Sequence, residues 1–325
     1  MIRKVVFMGT PDFAVPCLQV LLKDGYEVQA VFTQPDKARG RSGKPVPCPV
    51  KAEAVLHGIP VYQPVRIRHE ENEKILAELN PDVIVVTAFG QIIPSSILHL
   101  PPYGCVNVHA SLLPAWRGAA PIQWAVMNGD KVSGVTTMQM NEGLDTGDIL
   151  LQRELPLAPD ETGGSLFDKL SAAGAGLLSE TLKALSEGTV TPVRQPEESP
   201  TPYAAMLKKQ TGCIDWEKGA GEIERMVRAL DPWPSAYTYL NGKQLKIWKA
   251  EPLPAAAGIS GEAPAASGEA PAAPGTVTMI GRDSFTVQTG SGTIRILALQ
   301  LEGKKRMDTE AFLRGYRLEA GMKLG

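Results

Sequence analysis

The sequence predicts an α/β protein with a doubly wound, mostly parallel sheet in its first part and a small β-barrel in its second. Up to about residue 188, short apolar runs alternate with amphipathic stretches, which is typical of strands separated by helices in a parallel sheet. A proline-rich segment follows. Beyond it, short alternating runs are joined by turns, a pattern that favours a small all-β domain.

The first part of the chain contains five strand signals and three helix signals. Amphipathic stretches at residues 13–23 and 70–79 predict helices, and residues 162–188 predict a longer helix that ends at a glycine. In a sheet of this kind the functional residues lie in loops beyond the carboxyl ends of the strands, and His109 lies at such an end. The predicted strands are residues 5–8, 28–33, 83–88, 105–109 and 134–140.

The change of pattern divides the chain into residues 1–188 as a first domain, 189–206 as a linker with four prolines, and 207–325 as the second domain. In the second domain, a helix over 220–230 precedes five short strands. Asn241-Gly242 between two of them is a strong hairpin signal. Residues 254–275 repeat Gly-Glu-Ala-Pro and predict a flexible insertion between barrel strands.

The composition excludes several classes of protein. The 325 residues are 43% apolar with a net charge of −2, and no run approaches the roughly 18 apolar residues of a membrane helix. Four scattered cysteines without a Cys-x-x-Cys pair argue against a disulfide framework or a zinc site, so we expect a cytoplasmic protein. Residues 1–206 carry 17 basic against 22 acidic side chains (−5), and residues 207–325 carry 16 against 13 (+3), which is a weak hint of a polyanionic partner.

Three polar side chains form the candidate catalytic set. Asn107 and His109 end an apolar run, and Asp145 lies in a glycine-flanked turn. Asparagine can donate to a developing oxyanion, histidine can donate or accept a proton near neutral pH, and aspartate can orient the histidine. Spacing alone also allows a buried Asn and His beside an unrelated turn Asp. Because no serine or cysteine stands in a nucleophile elbow, a catalytic set here requires a nucleophile on the substrate.

The first turn, by contrast, argues against a dinucleotide. Met8 to Asp12 lacks the second and third glycines of Gly-x-Gly-x-x-Gly, and Pro11 removes an N–H that a pyrophosphate would use.

Several stretches resemble a known family. VNVHASLLPAWRGAAPIQWA, followed by GVTTMQMNEGLDTGDILL, is similar to the formyltransferases that use 10-formyltetrahydrofolate. Their signature is Asn-x-His, then Ser-Leu-Leu-Pro, then an aspartate in a later glycine-flanked turn. VVFMGTPDFAVPCLQVLL, VFTQPDKARGRSGKPVPCPVK, AFGQIIP and LDPWPSAYT extend the resemblance over nearly the whole chain except the insertion. Within the family, the chain is most similar to the branch whose acceptor is the methionine esterified to initiator tRNA.

The resemblance implies a Rossmann-like catalytic domain, an OB-like second domain, and formyl transfer from 10-formyltetrahydrofolate, as co-substrate, to the methionine α-amine in translation initiation. Asn107 and His109 would then stabilise the oxyanion, and Asp145 would hold the imidazole. It further implies charged initiator tRNA as partner, no metal, no membrane and a monomer. The implied folate-binding residues are Ser111, Leu112, Leu113, Pro114, Phe89, Gly90 and Ile92, and the implied tRNA-binding residues are Lys37, Arg39, Arg41 and Lys44.

Other functions stay open on these motifs. A formyltransferase for a small amine or an amino sugar nucleotide would share the three polar residues and the Ser-Leu-Leu-Pro turn, although the basic loop and the second domain favour tRNA. A non-catalytic RNA-binding relative is the alternative from another class, and the intact catalytic set argues against it. The aromatic Trp233 is interpreted as core packing rather than as a platform for a base.

Overall fold

The computed structural model describes residues 1–38, 43, 45–253 and 272–325. The chain divides into two compact units. The first comprises Met1–Ile122, Lys131–Leu157 and Leu166–Ala205, and the second comprises Gln123–Asp130, Ala158–Ser165 and Met206–Gly325. Among the helices in these described ranges, none combines the length and the apolar character needed to span a membrane.

The part of the chain before residue 206 contains nine strands and six α-helices among its described residues. The strands are β1 (Lys4–Gly9), β2 (Glu27–Phe32), β3 (Lys37–Ala38), β4 (Pro45–Val46), β5 (Val61–Tyr62), β6 (Val83–Thr87), β7 (Cys105–His109), β8 (Val132–Gln139) and β9 (Ile149–Pro156). The helices are α1 (Val15–Lys23), α2 (Pro49–Leu56), α3 (Glu70–Leu79), α4 (Ser95–Leu98), α5 (Pro121–Asn128) and α6 (Gly163–Glu187).

Seven of these strands form one sheet in the order β5-β2-β1-β6-β7-β8-β9. Neighbours from β5 to β7 are parallel, whereas β8 is antiparallel to β7 and β9 is antiparallel to β8. The mostly parallel sheet predicted from the sequence is therefore confirmed. Strands β6 and β7 are buried along their whole length, as expected for central strands covered on both faces.

Helices pack on the sheet through apolar side chains and one close approach. Side chains of β1, β2 and β6 share a core with Leu76 of α3 and Ile97 of α4. Leucines of α6 are buried, and at Gly174 a Cβ would lie 3.0 Å from Val108 Cγ1. The small residue therefore lets α6 approach β7 closely.

The second unit contains an antiparallel sheet in the order β10-β11-β14-β13-β12, with β15 paired to β14. Asn241 and Gly242 both have positive φ angles, 49° and 74°, as a tight I′ hairpin turn requires, so the predicted hairpin between β10 and β11 is confirmed. Ile223 and Val227 of α7 join the strands in one core. The elements are β10 (Ala236–Leu240), β11 (Lys243–Leu253), β12 (Val277–Ile280), β13 (Phe285–Gln288), β14 (Thr293–Leu301), β15 (Met307–Asp308), α7 (Ala220–Ala229) and α8 (Thr309–Gly315).

The closed barrel predicted from the sequence is not confirmed, because no ladder joins the edge strands β10 and β12 among the described residues. The last residues of the chain lie between those edges instead. Val277 N donates to Met322 O at 2.8 Å, and Gly325 N donates to Tyr239 O at 3.0 Å. Of the predicted insertion, residues 254–271 lie outside the described residues.

The four cysteines are free, and they differ in reactivity. Cys17, Cys48 and Cys105 are buried, whereas Cys213 is exposed. Burial raises the pKa of the Cys17 and Cys105 thiols to about 12 in each case. The thiolate is the nucleophile, so burial and the raised pKa both make these two thiols unreactive at pH 8.

We therefore expect iodoacetamide at pH 8 to label Cys213 first in the native protein and to leave Cys17 and Cys105 unmodified. Mass spectrometry of tryptic peptides at increasing times measures this order, with the urea-unfolded chain as the control in which all four react. Early labelling of Cys105 in the native protein would contradict the buried position of β7.

Candidate active site

Asn107 and His109 lie on β7 with only 8% and 6% of their surfaces exposed. Residues two apart on a strand point to the same face, so both side chains belong to one side of the sheet. The Asn107 amide carries two N–H donors on the same face of the sheet as the His109 imidazole.

His109 lies between two oxygen acceptors. Its Nε2 is 3.2 Å from the Trp116 carbonyl oxygen, and its Nδ1 is 3.7 Å from Asp145 Oδ1. The other carboxylate oxygen, Oδ2, accepts a hydrogen bond of 2.9 Å from the backbone N–H of Gly118. A proton on Nε2 has the Trp116 carbonyl as its acceptor, whereas Nδ1 lies within ion-pair distance of Asp145 but beyond hydrogen-bonding distance. The structure brings together two of the three predicted catalytic residues, with Asn107 on the same strand.

The turn that carries Asp145 is built from its own short polar residues. Asn141 Oδ1 accepts from Gly143 N at 3.0 Å and from the Thr146 hydroxyl at 2.9 Å. Asp145 itself has φ of 54°, a left-handed conformation that costs a non-glycine residue roughly 1–2 kcal/mol. Gly147 is required because a Cβ there would lie 1.8 Å from the Gln139 carbonyl oxygen.

The Ser-Leu-Leu-Pro turn, Ser111 to Pro114, is held by the side chain of Thr136 on β8. The Thr136 hydroxyl donates to Ser111 O at 2.7 Å and accepts from Leu113 N at 3.0 Å. Gln152 donates to both Leu113 O and Thr136 Oγ1. Gly134 leaves room for the turn, since a Cβ there would lie 2.5 Å from Leu112 Cδ2.

Three of the predicted folate-binding residues, Phe89, Gly90 and Ile92, follow β6. The Phe89 ring is buried in the core, Gly90 has φ of 80°, and Ile92 is 75% exposed. The Phe89 carbonyl accepts from Thr10 Oγ1 and Gln34 Nε2, each at 3.2 Å. The Phe89 carbonyl therefore joins the ends of β1, β2 and β6 at this point.

Of the predicted basic loop, Lys37 is described and exposed on β3, which pairs with β4. Arg39, Arg41 and Lys44 lie outside the described residues. The loop begins at a polar cluster that the sequence patterns did not indicate. Lys51 Nζ lies 2.6 Å from both Asp36 Oδ2 and Gln63 Oε1, and its hydrogen bond to Asp36 lowers the pKa of that carboxyl.

The proline-rich segment after α6 contains a second group that the sequence patterns did not indicate. Gln195 is buried; its Oε1 accepts from the buried Arg117 and its Nε2 donates to the Asp145 and Gly147 carbonyls. Further along, Ser199 Oγ donates to Pro114 O, and Thr201 and Ala204 bond to residues 116–120. No periodicity marks this segment, so the sequence gives no signal for these contacts.

Trp233, in the second unit, is 55% exposed, so its interpretation as core packing is wrong. The prolines on both sides of it, Pro232 and Pro234, set the local backbone, and the polar Ser235 is the buried residue of this turn. Apolar character alone therefore did not predict that Trp233 is exposed and Ser235 is buried.

Both units match known family models. The model described as "Formyl transferase" matches residues 3–182, and the model described as "Formyl transferase, C-terminal domain" matches residues 206–317. A methionyl-tRNA formyltransferase of Lachnospira eligens is 54% identical over 322 residues, which are 99% of each chain. One of Bacillus cytotoxicus is 52% identical over 324 residues, covering 99% of this chain and 98% of the relative.

Solved structures support the fold. The N-formyltransferase from Helicobacter canadensis with folinic acid and dTDP-3-aminofucose has a TM-score of 0.65 at 19% identity, covering 91% of this chain and 99% of that one. HypX from Aquifex aeolicus in complex with tetrahydrofolic acid has a TM-score of 0.60 at 18% identity, covering 99% of this chain and 50% of that one. Since a family model matches more than half of the chain and relatives about half identical span nearly all of it, the chain belongs to the formyl transferase family.

Proposed function

We propose that the protein transfers the formyl group of 10-formyltetrahydrofolate to the α-amino group of methionine carried by initiator tRNA. The observation that carries the proposal is the full-length similarity, across both units, to relatives that are methionyl-tRNA formyltransferases. The arrangement of Asn107, His109 and Asp145 supports the same chemistry, because it offers donors and a carboxylate but no side-chain nucleophile.

The reaction needs little activation of the acceptor. An α-amino group has an unperturbed pKa of about 8, so a useful fraction is neutral at pH 7. The amine nitrogen bonds to the formyl carbon, negative charge develops on the formyl oxygen, and the bond from that carbon to the folate nitrogen then breaks. The amine loses a proton, and the folate nitrogen gains one. We propose that Asn107 and protonated His109 donate to the developing charge, and that Asp145 orients His109 and accepts the amine proton.

We propose that the folate lies against the Ser111 to Pro114 turn. Leu112, which is partly exposed, offers apolar surface for a flat ring, whereas Leu113 is buried beneath the turn. The backbone of the turn offers groups for an amide-like edge. The hydroxyl of Thr136 and the amide of Gln152 hold that turn in one conformation, as a recognition surface requires. Phe89 through its backbone, Gly90, and the exposed Ile92 would form the other wall.

We propose that tRNA contacts the basic loop of Lys37, Arg39, Arg41 and Lys44, and also a basic aromatic cluster in the second unit. Arg306 Cζ lies 4.7 Å from the centre of the Trp248 ring, and Lys246 Nζ lies 5.6 Å from it. Cations on the surface of this antiparallel sheet suit phosphates, and an indole can stack on a base. Lys304 and Lys305, both exposed, precede Arg306 in the chain.

We also propose that residues 207–325 form an OB-like barrel that adds affinity for tRNA, with residues 1–188 as the catalytic domain and 189–206 as their connection. The hydrogen bonds of Met322 and Gly325 to the two edge strands support such a closure. A monomer in the cytoplasm fits this proposal, because one chain carries all the residues that the reaction is proposed to need.

The function is tested by formyl transfer with 10-formyltetrahydrofolate and three acceptors: charged initiator tRNA, glycinamide ribonucleotide and an amino sugar nucleotide. We expect formylation of methionyl-tRNA with a kcat/KM at least ~10²-fold above either small amine. Transfer to a small amine at an equal rate, or none to tRNA, would overturn the proposal.

The roles of His109 and Asp145 are tested by His109→Ala and Asp145→Asn. Each should lower kcat at least ~10²-fold, as the loss of a preorganised donor or its orienting group does, and leave the melting temperature within a few degrees. Asp148→Asn is the matched control, since Asp148 is an exposed carboxylate in the same turn. A folded Asp145→Asn protein with near-normal kcat would remove Asp145 from the mechanism.

The basic aromatic cluster is tested by Arg306→Ala and Lys246→Ala. Each should raise the KM for charged tRNA and leave the KM for folate unchanged. The logarithmic salt dependence of tRNA binding should flatten by roughly 0.7–0.9 for each phosphate that the variant no longer neutralises. Arg282→Ala, in the turn between β12 and β13, serves as the comparison. An unchanged salt dependence in Arg306→Ala would exclude that side chain from tRNA binding.

A further inference from the structure

We infer that Gln195, in the proline-rich segment after α6, is a positioning residue that holds Asp145 beside His109 for formyl transfer. The inference rests on the proposed function, because its main readout is formyl transfer. Gln195 itself touches neither His109 nor the Asp145 carboxylate, so it acts through the backbone of the turn that carries Asp145.

The Gln195 side chain uses its whole hydrogen-bonding capacity at this point. Nε2 donates to Asp145 O at 3.0 Å and to Gly147 O at 2.6 Å. Oε1 accepts from Arg117 Nε at 3.1 Å and Nη2 at 2.9 Å. An amide offers two N–H donors and one oxygen with two lone pairs, and the four contacts occupy all of them.

The turn that carries Asp145 needs such support because of where β8 ends. Gln139, the last residue of β8, pairs with Val106 near the start of β7. His109 is three residues further along β7, roughly 10 Å away at strand spacing. The turn must therefore carry Asp145 back along the sheet, and it does so with Asp145 in a left-handed conformation.

The amide of Gln195 joins this turn to the backbone that His109 faces. Arg117, its partner on the oxygen side, lies between Trp116 and Gly118. The Trp116 carbonyl faces His109 Nε2, and the Gly118 N–H donates to Asp145 Oδ2. The Gln195 Nε2 thus bonds to Asp145 itself, and the Gln195 Oε1 bonds to Arg117, whose two chain neighbours contact the His109 imidazole and the Asp145 carboxylate.

Arg117 fixes Gln195 in turn. The Arg117 guanidinium is buried, and among the described residues its partners are neutral oxygens: Gln195 Oε1, the Pro196 carbonyl at 2.7 Å and the Glu197 carbonyl at 3.0 Å. A buried cation is costly unless it is fully hydrogen-bonded. Hydrogen bonds to the Arg117 guanidinium therefore hold residues 195–197 against the site.

The test uses the full chain with Gln195→Met, Asp145→Asn and the double variant. Gln195→Met should lower kcat at least ~10-fold and change the KM values for folate and tRNA less than ~3-fold. If Gln195 acts through Asp145, the double variant should have the kcat of Asp145→Asn alone, since effects within one coupled unit are not additive. Multiplied losses, or a normal kcat in Gln195→Met, would overturn the inference.

Gln288→Met is the matched control. Gln288 Nε2 also donates to two backbone carbonyls, those of Thr289 and Gly292, but in the second unit. We expect it to keep the kcat of the unaltered protein. If both Met variants lower kcat equally, loss of a glutamine amide that bridges two carbonyls, rather than the position of Asp145, explains the effect, and the inference fails.

A readout without activity separates this inference from the proposed function. In Gln195→Met, hydrogen exchange should quicken at the Gly118 amide, whose acceptor is Asp145, while the amides of β6 keep their protection. Unchanged exchange at Gly118 would overturn the positioning role. If the unaltered protein formylates no tRNA but Gln195→Met still loosens Gly118, the proposed function fails and the structural part of the inference stands.

Discussion

The candidate site depends on returning one carboxylate along the sheet. Strand β8 runs antiparallel to β7 and ends beside the start of β7, whereas the His109 imidazole lies at the end of β7. The nine residues between β8 and β9 must cover that distance and present Asp145 to His109. A tight turn, a left-handed residue and a glycine pressed against Gln139 are the local costs of this path. Hydrogen bonds within the turn and hydrogen bonds from Gln195 and Gly118 hold this path in place.

Those contacts explain why the segment after α6 follows the surface of the first unit instead of leaving it. Most of its side chains are exposed, but Gln195 and Ala204 are buried. The backbone of Ala204 bonds to that of Arg117, Ala119 and Ala120, and a side chain at Gly118 would collide with its carbonyl, 2.6 Å from an added Cβ. The segment thus completes the walls around residues 114–118.

Periodicity and polarity in the sequence were sufficient to predict single strands, their polar end residues and a tight turn. Strand β7 was recognisable as an apolar run, and Asn107 and His109 as polar residues at its end. The hairpin at Asn241 followed from local backbone preference. Gln195 could not be predicted in this way, because its role arises from hydrogen bonds to residues about 50 and 80 positions away. Trp233 was wrongly interpreted as core packing for a related reason. Its apolar ring makes burial favourable, but the path of the backbone determines whether the side chain reaches the core.

The attachment of residues 193–204 to the first unit has a consequence for protein engineering. An exchange of Met206–Gly325, the longest segment of the second unit, between members of the family is naturally planned at the proline-rich stretch, where the composition changes. A crossover at its first proline would separate Gln195, Ser199 and Thr201 from the backbone they support. The boundary that keeps these contacts within one parent follows Ala205, where the first compact unit ends. Chimaeras joined there inherit the turn that carries Asp145 together with its support.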